Sequence, residues 1–137
     1  MMVTKAQLLE QISVEVSFDQ DLICACNSIL DYICISEKDN LKHLPIYKIN
    51  KIIKNKESSF TFNVINFLSG EQFPIFNVCF EFIDGDFIEQ VDHETLVYSQ
   101  INNVYYHPET GESVQDYESK IFMYLSLSDF GREIICN

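Results

Sequence analysis

Residues 104–127, VYYHPETGESVQDYESKIFMYLSL, decide the fold class. Val104-Tyr105-Tyr106 at one end and Ile121 to Leu127 at the other are β-branched and aromatic, the residue types that suit a pleated, half-buried surface. Between them His107 to Ser113 (HPETGES) is rich in turn formers. The pattern predicts two strands around a polar loop, a β-hairpin with a long tip.

Upstream the apolar spacing is helical. Asp92 is a candidate N-cap for a helix through Leu96, Val97 and Ile101, closed by Asn102-Asn103. Ile75, Val78, Cys79, Phe82 and Ile83 recur at i, i+3, i+4, i+7 and i+8 and predict a helix ended by Asp84-Gly85-Asp86, although Phe76, Val78, Phe80 and Phe82 also alternate. Ser58 or Ser59 caps a helix through Phe62, Ile65, Asn66 and Leu68, with Ser69-Gly70 as its stop. Pro45 suits the first position of another, where its missing N–H costs nothing. Earlier still, Asp19 or Asp21 opens a helix carrying Leu22, Cys26, Ile29, Leu30 and Ile33, and Thr4 caps the first, with Leu8, Leu9 and Ile12 on one face. Downstream, Ser128-Asp129 caps a short final turn. The expected class is α+β, mainly helical with a C-terminal β-hairpin.

Tyr124 to Arg132 (YLSLSDFGR) resembles the strand, Leu-Ser/Thr, two residues, Gly-Arg segment that closes the wing in bacterial winged-helix proteins. The order helix, helix, helix, long hairpin and terminal turn over about 60–135 is similar to that family. The resemblance implies a winged-helix-like domain in which Ser128 caps the next helix and Gly131 permits close packing. It also implies a major-groove reading helix at Asp92 to Ile101 and a wing at His107 to Ser119. A single domain over 1–137 is expected, with a helical part at 1–56 and the winged-helix-like part at 57–137.

The charge distribution opposes the DNA binding that this family suggests. Residues 1–37 hold one lysine against six carboxylates, residues 38–56 hold six lysines against Asp39, and residues 57–137 hold Lys120 and Arg132 against 14 carboxylates, giving balances of −5, +5 and −12. Affinity for phosphates comes from lysine and arginine displacing counterions. The would-be reading helix DHETLVYSQI has neither, and the wing is acidic. Direct DNA binding is therefore not expected except through the lysine-rich segment: Lys42, Lys48, Lys51, Lys54 and Lys56. Lys48, Lys51 and Lys54 repeat every three residues, which fits a phosphate-binding face or a solvated helix surface.

Catalytic arrangements are sparse. Four glycines, none clustered, cannot build a phosphate cradle. Cys24-Ala25-Cys26 puts its thiols on different helix faces, and no second pair lies at a zinc-site spacing. His93-Glu94 and His107-x-Glu109 could supply metal ligands or a general base, Asp84 with Asp86 and Glu81 could hold a hard cation, and Asp84, Asp86 and a histidine are the residues that a small metal-dependent hydrolase would use. All five cysteines are expected to be reduced and structural, with no cofactor and no metal. No run reaches signal-peptide length or the ~20 apolar residues that span a bilayer, so a cytoplasmic location is expected, without membrane. Eight lysines to one arginine, with abundant Ile and Asn, is the usage of an AT-rich coding sequence and points to a microbial or viral source.

The aromatic residues complete the reading. Phe62, Phe67, Phe76 and Phe82 are expected in the core, while tyrosines gather around the acidic hairpin, and aromatics dominate interface hot spots. The expected function is non-catalytic: a protein-binding domain, adaptor, accessory subunit or acidic inhibitor of a nucleic-acid-handling protein. Its candidate partner-binding residues are Tyr105, Tyr106, Glu109, Glu112, Asp116, Tyr117 and Glu118. The alternative is a winged-helix transcription regulator using the lysines of 42–56.

Overall fold

Thr4 and Gln7 start the chain's first helix as a reciprocal pair: the Gln7 N–H donates to Thr4 Oγ1 at 3.1 Å and the Thr4 N–H donates to Gln7 Oε1 at 3.0 Å. In the computed structural model, which describes residues 3–54 and 57–136, this capping box opens α1 (Lys5–Glu15). Asp19 caps α2 (Gln20–Ile35) by accepting from the Leu22 N–H at 3.1 Å. A 3-10 turn (Lys38–Leu41), β1 (Leu44–Pro45), α3 (Ile46–Ile53) and α4 (Ser58–Ser69) follow. Then come β2 (Phe76–Asp84), β3 (Phe87–Val91), α5 (His93–Asn102), a second 3-10 turn (Tyr117–Lys120), β4 (Ile121–Leu127) and α6 (Asp129–Arg132). The architecture is α+β, with strand order β1-β4-β2-β3.

Several expectations are corrected. Residues 76–84 form a strand, not a helix. Both periods fit the apolar positions, and the deciding signal is Asp84-Gly85-Asp86-Phe87, which is a hairpin turn rather than a helix stop. Asp84 pairs with Phe87 and Ile83 with Ile88 in an antiparallel ladder, leaving Gly85-Asp86 as a two-residue loop. Gly85 sits at φ 61°, the sign required at the first central position of a II′ turn. The expected strand at Ile121 to Leu127 is present as β4, but its neighbours are β1 and β2. Residues 105–107 instead fold back on 112–114: the Val114 N–H donates to the Tyr105 oxygen, Tyr106 bridges Ser113, and the His107 N–H donates to the Glu112 oxygen.

Pro45 is the N-cap of α3 rather than its first residue. In α4 the buried face is Thr61, Val64, Ile65 and Leu68, so Ile65 and Leu68 are buried as expected, whereas Asn66 is exposed and Phe62 is 43 % exposed; Phe76 and Phe82 are buried.

The chain divides into two compact units, Met1–Val78 with Leu125–Asn137, and Cys79–Tyr124, so the boundaries fall inside β2 and β4. The core of the first is helical, with Ile12, Leu30, Ile33, Ile49, Val64 and Leu68 fully buried. In this unit Ser128 caps α6 by accepting from the Gly131 N–H at 2.9 Å, and the Gly131 Cα faces the Ile75 carbonyl so closely that a Cβ would lie 2.5 Å from its oxygen. The local parts assigned to Ser128 and Gly131 are thus what these residues do.

Cys34 and Cys136 form a disulfide across a sequence separation of 102, which corrects the expectation of five free thiols. The cause is tertiary: Ile135 bridges Thr4, and the Lys5 N–H donates to the Ile135 oxygen, so the chain end lies along the helical unit with the two Cα atoms 5.5 Å apart. Cys24 is exposed and Cys26 buried, on different faces of α2 as expected. No helix among the described residues is long and apolar enough to cross a membrane.

The second unit has an aromatic core: Phe82, Val91, Tyr105 and Tyr117, with Phe80, Phe87 and Leu96 packed against it.

Candidate protein-binding surface

The acidic loop after α5 is shaped by its own backbone. Asn103 ends α5 in the left-handed conformation (φ 52°) and turns the chain toward Tyr105. Gly111, at φ 76°, lets its N–H return to the His107 oxygen at 2.8 Å, and the Glu109 N–H donates to His107 Nδ1 at 3.1 Å. This closed loop holds Glu109 and Glu112 out in solvent. Asp116 and Glu118 flank the start of the second 3-10 turn and are exposed too. Tyr106 is 52 % exposed.

Tyr105 and Tyr117 are elsewhere. Their rings are only 3 % and 7 % exposed and lie with centroids 6.1 Å apart, and Tyr105 also packs 4.8 Å from Phe82. The expectation of surface rings at these two positions is corrected: they are the core under the loop, and Tyr106 alone of the three offers its ring outward. Burial first, then the negative charges of Glu89 and Asp92, holds the Tyr105 phenol above its usual range.

One cluster was not legible in the sequence. His107 sits between the rings of Phe82 and Phe87, at 5.4 and 4.7 Å, with its Nε2 3.9 Å from Asp84. Asp84 also receives Lys120, at 3.4 Å. Because Lys120 is the only lysine or arginine in 79–124, against ten carboxylates, the unit carries a balance of −9 and its one cation is already engaged. Asp84 thus meets both His107 and Lys120. Among the described residues no three His, Cys, Asp or Glu side chains converge as a metal would require.

The alternative lysines all belong to the other unit. Lys48 is half-buried with Nζ 6.0 Å above the Tyr32 ring, and Lys51 lies 5.8 Å above Tyr47. Lys42 pairs with Asp39 at 3.6 Å, and Lys54 is the left-handed C-cap of α3. Lys56 lies outside the described residues. Two of the stripe's charges thus rest on the protein's own aromatic faces.

No protein-family model, curated protein or solved structure matches this chain.

Proposed function

We propose that this chain is a non-catalytic protein-binding protein, an adaptor or accessory subunit, or an acidic inhibitor of a nucleic-acid-handling protein, and that it docks through residues 79–124. The carrying observation is the balance of −9 in that unit, with Lys120 held by Asp84 and with Tyr106, Glu109, Glu112, Asp116 and Glu118 all exposed. Such a field speeds encounter with a basic surface and repels nucleic acid. Capture from host lysate tests it, using the wild type and a variant carrying Gln or Asn at the four carboxylates. A protein retained by the wild type, lost by the variant and displaced by duplex DNA supports the proposal. Identical proteins on both contradict it.

The exposure of Lys42, Lys51 and Lys54 favours a second reading, direct DNA binding. A mobility-shift series in salt separates the two. Binding tighter than about a micromolar at physiological salt, with a steep salt slope, supports the second.

The cytoplasmic location expected from the sequence stays a proposal, and the Cys34–Cys136 disulfide weighs against it, because a reducing compartment would hold that pair as thiols. Non-reducing gels of acid-trapped cells test this, and a predominantly oxidised pair contradicts it.

A further inference from the structure

Within residues 79–124 the face of α5 that carries Leu96 and Gln100, four residues apart, and the C-cap Asn103 border a cleft of about 400 Å³. Its apolar walls are Phe80 from β2, Leu96 from α5, and Ile121 and Met123 from alternate positions of β4. None of these four is fully buried, so apolar surface is left for another group to cover. Tyr117, fixed by its hydroxyl on the Ser99 oxygen at 2.9 Å, makes one wall rigid, while Met123 supplies an adaptable one. The remaining lining groups, Gln100, Asn103 and Glu118, are polar and exposed. A volume of this size with an apolar lining and few polar groups is typical of a preformed binding pocket.

Charge identifies the occupant. Glu118 is at the cleft, and the unit around it has ten carboxylates with Lys120 already engaged. A nucleic acid or an acidic peptide would meet like charge. An apolar side chain flanked by lysines or arginines would cover the exposed walls and meet opposite charge at the rim. We propose that this cleft takes one large apolar side chain from a lysine- or arginine-rich segment of a partner protein, with Gln100 and Asn103 available to the segment's backbone and Glu118 to its cations. The proposal rests on the protein-binding reading above and names the chemistry that the surface selects.

Fluorescence anisotropy on the full chain tests it with three labelled peptides: a lysine-rich peptide with one central Phe, the same peptide with Ala in place of Phe, and the Phe peptide with Gln in place of every lysine. We expect the Phe–lysine peptide to bind at least tenfold more tightly than either of the others. Leu96→Trp, which fills the cleft, should remove the advantage of Phe over Ala. Gln100→Trp, on the exposed rim of α5, should do the same if Leu96→Trp fails to fold, and Glu118→Lys should weaken the Phe–lysine peptide at least threefold. Equal binding of the Phe and Ala lysine peptides overturns the cleft but leaves the acidic docking surface standing. Failure of both lysine peptides contradicts that surface as well, and equal binding of the Gln peptide overturns the assignment of a basic partner. Self-association in sedimentation, lost in Lys48→Glu/Lys51→Glu, would give the cleft to a second copy of this chain and overturn the foreign occupant.

Discussion

Tyr117 donates its phenolic proton to the backbone oxygen of Ser99 at 2.9 Å, and both residues are buried. The same oxygen accepts from the N–H of Asn103 and, at 3.2 Å, from that of Val104. One carbonyl thus gathers the end of α5, the start of the acidic loop and the turn that follows it. The loop is positioned by the core beneath it.

Because the Ser99 oxygen keeps two backbone donors when the phenol is removed, Tyr117→Phe should cost only about 0.5–1.5 kcal/mol. Tyr106→Ala removes an exposed ring and should leave stability within about 0.5 kcal/mol while weakening partner capture. Urea denaturation and the lysate capture above, run on both variants, check this opposite pairing of effects.

Gly131→Ala should destabilise by about 1–3 kcal/mol, the usual cost of overpacking. The new Cβ would stand 2.5 Å from the Ile75 oxygen and 2.6 Å from Leu127 Cδ1. Trimming Leu127 to Ala should not restore stability, because the carbonyl contact stays. Urea midpoints of the single and double variants decide it.

Burial, with a smaller contribution from Asp19, pushes the Cys26 thiol from 9.0 up to about 12. At pH 8 iodoacetamide should therefore label exposed Cys24 in the native protein and reach Cys26 only after unfolding, as mass spectrometry would show. The folded pKa is the raised one, so this group's contribution to stability is fully present below about pH 9 and is lost as pH rises toward 12.

Reducing the Cys34–Cys136 bridge should lower stability by about 2–4 kcal/mol, since it closes a long loop in the unfolded chain. Denaturation with and without a reductant, set against a Cys34→Ser/Cys136→Ser variant in both conditions, isolates that contribution. The double variant should not respond to the reductant.

Local chemistry was legible in the sequence at four helix starts but not at α4, where the expected cap, Ser58 or Ser59, lies inside the helix and Glu57 is the N-cap. Thr4, Asp19, Asp92 and Ser128 all accept at helix N-termini, as a small oxygen-bearing side chain before an apolar-periodic run predicts. At 76–84 two periods overlapped, and the choice lay in how Asp84-Gly85-Asp86 was read. The bridge was illegible because it joins residues 102 apart, and an odd cysteine count does not exclude one pair. At the candidate surface the acidic residues were found because charge is written in composition. Tyr105 and Tyr106 are adjacent in sequence and opposite in fate, and only the bridge to Ser113 and the packing on Phe82 separate them.

The central claim is that residues 79–124, and not the lysine helix, meet the partner. A ¹H–¹⁵N NMR titration of the full chain with the Phe–lysine peptide tests it most directly. We expect the largest shift changes at Tyr106, Glu109, Glu118 and Met123, with little change over Ile46–Ile53. Changes centred on Ile46–Ile53, or spread evenly over both units, would contradict it.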